Sequence, residues 1–269
     1  MDNGITDHYV EFDGQQIVIR SDDADIIDFV SRTYEHMLVP RATSIVAVLD
    51  TRRNNADYFL QSQDDTDNAS DLVSISRYLR REIQQRFIGA RSDLLWIHAG
   101  AVVRNNKCLL IPAPTAHGKS SLVIELCQTG WCMLSDDLAP VRINTLEVLP
   151  YPERPVRRLY PGRDVSREEL TAIGRESVPI SPGAICHSPA IIGGVVFPRF
   201  RSDKNAELIR LSPGETALQL VGNCTNFADH NGVAVSAAGT IAGSVPGHRL
   251  IYGKLSDAVL LLDGLGRMT

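Results

Sequence analysis

The segment that most restricts how this chain can fold is an apolar strand, Cys108–Ile111, that runs through a glycine-bearing turn into a helix. The turn reads Ala113-Pro114-Thr115-Ala116-His117-Gly118-Lys119-Ser120, with Ser121 next in the helix. The pattern G-x-x-x-x-G-K-[ST] at such a junction cradles phosphate oxygens on successive backbone N–H groups. Its lysine reaches the outer phosphates and its hydroxyl holds Mg²⁺. Ala113 stands where the first glycine belongs, a departure that is costly only if the position needs a positive φ. His117 either donates to a phosphate or faces solvent. The chain has 23 arginines but only four lysines (Lys107, Lys119, Lys204 and Lys254), and one of the four falls here. A slim ammonium fits a closed loop where a guanidinium does not. The plainer alternative is a strand–helix turn capped by Gly118, with Lys119 in water.

The neighbouring segments supply a sheet for this turn. Leu94–Val103 is strongly apolar and reads as one strand, and Arg104-Asn105-Asn106-Lys107 turns it into Cys108–Ile111. The helix runs from Lys119 to about Thr129 and stops at Gly130. Trp131–Ser135 is the next strand and ends on Asp136-Asp137, so strand, loop, helix and strand form a βαβ-like unit. Farther on, Tyr151–Gly162 is rich in Pro and Arg and reads as loop, and Ile191–Phe197 reads as a buried strand. Ser212-Pro213-Gly214-Glu215 has the form of a capping box and opens a helix to about Val221. Asn231–Gly247, small and glycine-rich, reads as a mobile loop. Arg249–Tyr252 and Ser256–Leu265 read as a last strand and a last helix.

Residues 1–93 read as a separate small α+β domain, leaving 94–269 for the domain that carries the loop. Val10, Phe12, Ile17 and Ile19 alternate around Asp13-Gly14, a hairpin signal. Ile26, Ile27, Val30 and Tyr34 mark a helix over 24–37, and Leu72, Ile75, Leu79 and Ile83 another over Ser70–Phe87. Ser44–Leu49 and Tyr58–Leu60 are further strands.

Asp136 and Asp137 follow Lys119 by 17 and 18 residues. Adjacent carboxylates at the end of a strand divide labour well, one holding Mg²⁺ and the other accepting a hydroxyl proton. By themselves they also suit a surface turn or a helix cap. His98 shares a face with Leu94, Trp96, Gly100 and Val102 by alternation. A lone histidine there is either a satisfied core residue or part of a site.

Taken in order, Ile97-His98-Ala99-Gly100-Ala101-Val102, then Leu109–Ser121, then Leu134-Ser135-Asp136-Asp137 resemble the HPr kinase/phosphorylase superfamily. The resemblance is closer to its HPr kinase-related, lasso-peptide-kinase-like group, and is strongest over about 97–140. It implies an α/β P-loop kinase core of HPr kinase / PEP carboxykinase type, preceded here by the small α+β N-terminal domain. It also implies an ATP- and Mg²⁺-dependent kinase that phosphorylates a serine hydroxyl on a peptide or small protein. Ala113 through Ser121 then bind the nucleotide, with Lys119 and Ser120 at its phosphates. Asp136 is assigned as base, Asp137 joins Ser120 at the metal, and His98 faces the reacting phosphate. The downstream E-[IV]-R-G-L-G-I signature of the phosphorylase is missing from this sequence, which argues against phosphorolysis and against HPr as acceptor. Residues 1–93 also differ from that enzyme's N-terminal domain. Arg154, Arg157 and Arg158, soon after the aspartates, are expected phosphate or substrate contacts, because a planar fork suits phosphate. The resemblance further implies assembly into a homo-oligomer.

Two other readings use the same loop: a nucleotide-binding sensor with little turnover, which Ala113 favours, and a small-molecule kinase or NTPase. No N-K-x-D guanine motif occurs. The formal net charge of −5 lacks the basic excess expected of a nucleic-acid binder. Charge is uneven: 1–93 hold 17 acidic and 10 basic residues, 94–269 hold 15 and 17, and a polyanionic nucleotide fits the latter. Five cysteines without a C-x-x-C pair read as reduced thiols. No run approaches the roughly 20 apolar residues of a membrane span, and Met1-Asp2-Asn3-Gly4 does not open an export signal. A cytoplasmic protein is expected.

Overall fold

In the computed structural model, which describes residues 5–41, 44–63, 65–115, 117–159 and 174–266, the chain divides into two units, Met1–Ser92 and Asp93–Thr269. The first opens with the hairpin β1 (Thr6–Phe12) and β2 (Gln15–Ser21). Asp13 and Gly14 both take positive φ, 45° and 79°, as a tight two-residue hairpin turn needs. Helix α1 (Ala24–Thr33) starts where the Asp23 carboxylate accepts from the Asp25 and Ile26 N–H groups. It stops at Thr33, short of the expected residue 37, because Tyr34 begins a turn in which Met37 N–H donates to the Tyr34 carbonyl. Strands β3 (Leu38–Val39), β4 (Ile45–Asn54), β5 (Asp57–Gln61) and β6 (Thr66–Ala69) complete a sheet ordered β3-β1-β2-β4-β5-β6. Helix α2 (Leu72–Ala90) buries Ile75, Leu79, Ile83 and Phe87, the i, i+4 row of one face.

The second unit is mixed α/β. β7 (Leu94–Ile97) and β8 (Ala99–Arg104) are separate strands, broken at His98, where a single strand was expected. The reason is that they pair with different partners: β7 lies against β11 (Ala139–Arg142), whereas β8 lies between β9 (Lys107–Pro112) and β10 (Cys132–Ser135). Asn105 and Asn106, at φ 51° and 61°, make the β8–β9 turn. Helix α3 (Lys119–Gln128) connects β9 to β10, and Gly130 at φ 94° ends the turn after it. β9 and β10 are both antiparallel to β8 and therefore run parallel on either side of it. β12 (Glu147–Val148) joins this sheet, and β13 (Val156–Arg158), inside the stretch expected to be loop, forms a ribbon with β14 (Arg175–Ser177). The long β15 (Ala190–Phe200) is parallel to β9 and to β17 (Gly247–Tyr252), which also pairs with β16 (Glu207–Arg210).

Helices cover both faces of this sheet, as a parallel core requires. Ala101, Leu110, Val195 and Phe197 pack with Leu220 of α4 (Pro213–Gly222) and with Ala234, Ala237 and Ile241. The short α5 (Phe227–His230) precedes the helix that carries those last residues. The intervening Val102, Leu109, Ile111 and Val196 face the other way, against Leu122 and Val123 of α3 and Ala258 and Leu262 of α7 (Leu255–Gly266). Ala234 and its neighbours belong to α6 (Gly232–Ser244), a helix where a loop was expected. Ala234, Ala237, Ala238, Ile241 and Ala242 recur at helical spacing and bury against the sheet, so a face built of alanine replaces the usual large apolar stripe. Ser212 and Glu215 make the expected capping box of α4. Among the described residues, no helix is long and apolar enough to cross a membrane.

Candidate active site

The parallel register of β9, β15 and β17 brings their carboxyl ends to one edge of the sheet, where open α/β sheets bind ligands. Ala113 leaves β9 there, buried at 1% exposure, and is not among the residues with positive φ. Alanine is therefore tolerated where glycine was expected, and the feature that favoured a degenerate sensor carries no backbone penalty. Pro114 and Thr115 are exposed. Ala116 lies outside the described residues. His117 is half-buried, with Nδ1 3.2 Å from the Thr115 carbonyl oxygen. Gly118 caps α3 at φ 88°, a left-handed conformation suited to glycine.

From this cap α3 points two side chains at the aspartate pair. Lys119 is 5% exposed, and its Nζ donates to Asp137 Oδ1 at 2.8 Å and to the Asp137 carbonyl at 3.3 Å. The Ser120 hydroxyl donates to Asp136 Oδ2 at 2.8 Å. Asp136 is 2% exposed, whereas the Asp137 side chain is 37% exposed. The residue after Lys119 thus meets the buried carboxylate, and Lys119 meets the open one. Ser121 is half-buried on the next position of the helix.

His98 reaches the site from the junction of β7 and β8. Its Nε2 lies 3.1 Å from Asp137 Oδ1, so the break between β7 and β8 aims the imidazole at the carboxylate instead of the core. The corner is held by backbone: His98 N–H donates to the Asn223 carbonyl, and Ala113 N–H donates to the His98 carbonyl. Residues 223–226, given no role by the sequence reading, complete the hold. Asn226, 5% exposed, accepts from Trp96 N–H and donates to the Leu94 carbonyl, both at 2.9 Å. Thr225 N–H and hydroxyl both donate to the Trp96 carbonyl. Residues 223–226 thereby satisfy the edge of β7 as a further strand would. The polar run Asn223-Cys224-Thr225-Asn226 between two helices was the available signal for it.

Gly100 is the second missed residue. A Cβ there would lie 2.6 Å from Val123 Cγ2 and 3.4 Å from Lys119 Cγ, so glycine lets α3 and its lysine settle onto β8. Cys127, also on α3, remains a neutral thiol: burial pushes it up to about 12, with Cys132 and Asp136 adding to the rise.

Of the expected arginines, Arg157 directs its fork at Glu176 across the β13–β14 ribbon, at 2.9 and 2.8 Å. That pairing competes with any phosphate. Arg158 sits opposite Arg175 in the same ribbon, and Arg154 is half-buried before it. The structure thus brings together His98, Lys119, Ser120, Asp136 and Asp137. Among the described residues, no three or more His, Cys, Asp or Glu side chains are grouped to hold a metal unaided.

No protein-family model and no characterised protein matches this sequence. Among solved structures, the Hpr(Ser) kinase/phosphatase from Coxiella burnetii is similar over 64% of this chain and 88% of that one, at 12% identity and a TM-score of 0.33. So distant a likeness settles neither fold nor chemistry.

Proposed function

We propose that this protein is an ATP- and Mg²⁺-dependent serine kinase acting on a peptide or small protein. The carrying observation is the convergence, at the carboxyl ends of parallel strands, of a buried lysine, a serine–carboxylate pair and a solvent-reaching carboxylate beside a histidine. Phosphoryl transfer asks a protein mainly for positioning and charge neutralisation, and each of those side chains supplies one part. The helix N-terminus and Lys119 face the phosphates. Ser120 and Asp136 offer adjacent hard oxygen donors, a set that fits Mg²⁺ completed by phosphate oxygens and water. The bound ion supplies neutralisation of charge on the phosphates.

This geometry supports the reverse of the carboxylate roles expected from sequence. Asp136 is buried against the Ser120 hydroxyl and suits the metal side. Asp137 is open to an incoming hydroxyl and has His98 at its shoulder, so it suits the base. The acceptor serine oxygen attacks the terminal phosphorus of ATP, the bond to ADP breaks, and the serine proton passes to Asp137. Lys119, now held by Asp137, turns to the phosphates when ATP enters and releases the carboxylate for that step.

The acceptor class proposed is a short precursor peptide. Peptides encoded beside the gene, incubated with the protein and ATP-Mg²⁺ and analysed by mass spectrometry, should gain a phosphoserine. ATP binding without any phosphorylated product across that panel would return the loop to a sensor, and phosphate release without an acceptor would make it an NTPase.

A further inference from the structure

The loop of the proposed nucleotide site rests on a residue 134 positions downstream of it, counted from Gly118 to Tyr252. Tyr252 ends β17, paired with Phe200 at the end of β15, and is 2% exposed. Its backbone is fixed by Arg201 N–H, which donates to the Tyr252 carbonyl at 2.8 Å. Its ring is fixed edge-on against Phe200, centroids 5.6 Å apart. Burial pushes the pKa of the phenol up, so it stays a neutral hydroxyl. That oxygen abuts Gly118: a Cβ built on Gly118 would collide with Oη and lie 3.1 Å from Cζ and 3.9 Å from Cε1.

Gly118 is thus constrained twice. Its φ of 88° disfavours a side chain, and Tyr252 occupies the space a side chain would need. We infer that Tyr252 is a positioning residue of the phosphate loop, a wedge whose hydroxyl sets the seat of Gly118 and so the direction in which Lys119 leaves the helix start. The inference rests on the reading of this loop as a nucleotide site for its consequence, but the wedge itself is a property of the chain without ligand. It also gives the last strand of the sheet a part in the site that its distance in sequence hides.

The test is a double-mutant cycle in the full chain with Tyr252→Phe, Gly118→Ala and both, read in two ways. Tyr252→Phe keeps the buried ring and removes only the oxygen. Without nucleotide, amide hydrogen exchange over residues 117–121 should rise about fivefold in Tyr252→Phe, as the loop opens more readily. With ATP-Mg²⁺, Gly118→Ala alone should abolish most binding. Adding Tyr252→Phe should restore about tenfold of it, within the coupling seen between residues in contact. A rescue of that kind is not produced by general destabilisation. Unchanged exchange in Tyr252→Phe, or losses that simply add, overturn the wedge. If the native protein binds no ATP while the exchange response appears, the nucleotide reading fails and the wedge stands. If Gly118→Ala does not fold, the exchange of Tyr252→Phe alone decides.

Discussion

Replacing Asp137 by Asn separates binding from chemistry at this site. Lys119 Nζ donates to Asp137 Oδ1 at 2.8 Å, with the lysine side chain 6% exposed and the aspartate 37%. A fully buried pair that loses one partner costs about 3–5 kcal/mol, but water reaches this carboxylate, and exposed pairs are worth about 1 kcal/mol or less. An intermediate loss of about 1–2 kcal/mol in stability follows for Asp137→Asn. The same interaction holds Lys119 away from a phosphate. Removing about 1 kcal/mol of that competition should tighten ATP binding about fivefold, since 1.4 kcal/mol is tenfold. Turnover should fall about 10²–10⁴-fold with loss of the base. Titration of a fluorescent ATP analogue and single-turnover transfer to an unphosphorylated acceptor peptide give the two numbers. Tighter binding with lost transfer is the expected pair. Weaker binding would show that Asp137 belongs to the metal, and unaltered transfer would show that it is not the base.

Further outcomes are expected elsewhere in the chain. Asn226→Ala strands the Trp96 N–H and the Leu94 carbonyl, which should cost about 3 kcal/mol and lower Tm by about 6–12 °C in a calorimetric scan. An unshifted Tm would mean that residues 223–226 do not clamp β7. Ala113→Gly should lose about 0.5–1 kcal/mol through chain entropy without tightening ATP; a clear gain in affinity would show that the loop needs glycine there after all. Glu215 has its pKa lowered by hydrogen bonds from the Ser212 backbone and hydroxyl. A depressed folded-state pKa gives stability that is present above the unfolded value of 4.5 and lost as pH falls through the folded value. Glu215→Gln should therefore flatten the acid limb of the stability profile below that pH and leave its slope at neutral pH unchanged.

Local chemistry made much of this architecture legible. Asp13-Gly14, Asn105-Asn106, Gly130 and the Ser212–Glu215 box each act within a few residues, and their turns and caps stand where the sequence places them. What escaped depends on partners distant in sequence. Leu94–Val103 is apolar on both sides of His98 because both β7 and β8 are buried, so nothing in it marks a strand break there. Alternation put that side chain on the face of Trp96, while the partner Asn223 and the β11 register turn it to Asp137. Helix α6 escaped because glycine, serine and threonine on its outer face masked an inner row of alanines. The two aspartates were visible as a pair, but adjacent identical residues carry no sign of which is buried. Burial and the separate contacts with Ser120 and with Lys119 and His98 tell them apart.

The clamp on β7 also dictates when the site can form during synthesis. Asn226 closes its hydrogen bond to Trp96 across 130 residues of chain, and the His98 N–H has no partner until Asn223 has left the ribosome. Until then β8, β9, α3 and the aspartate pair can assemble locally, but the His98 corner is held on its Ala113 side alone. Contacts of such long sequence separation form slowly, because the loop-closure entropy is lost before they reward it. A partly made chain therefore carries the phosphate loop with its histidine corner only half held, and leaves the edge of β7 open to pairing with other strands or to a chaperone.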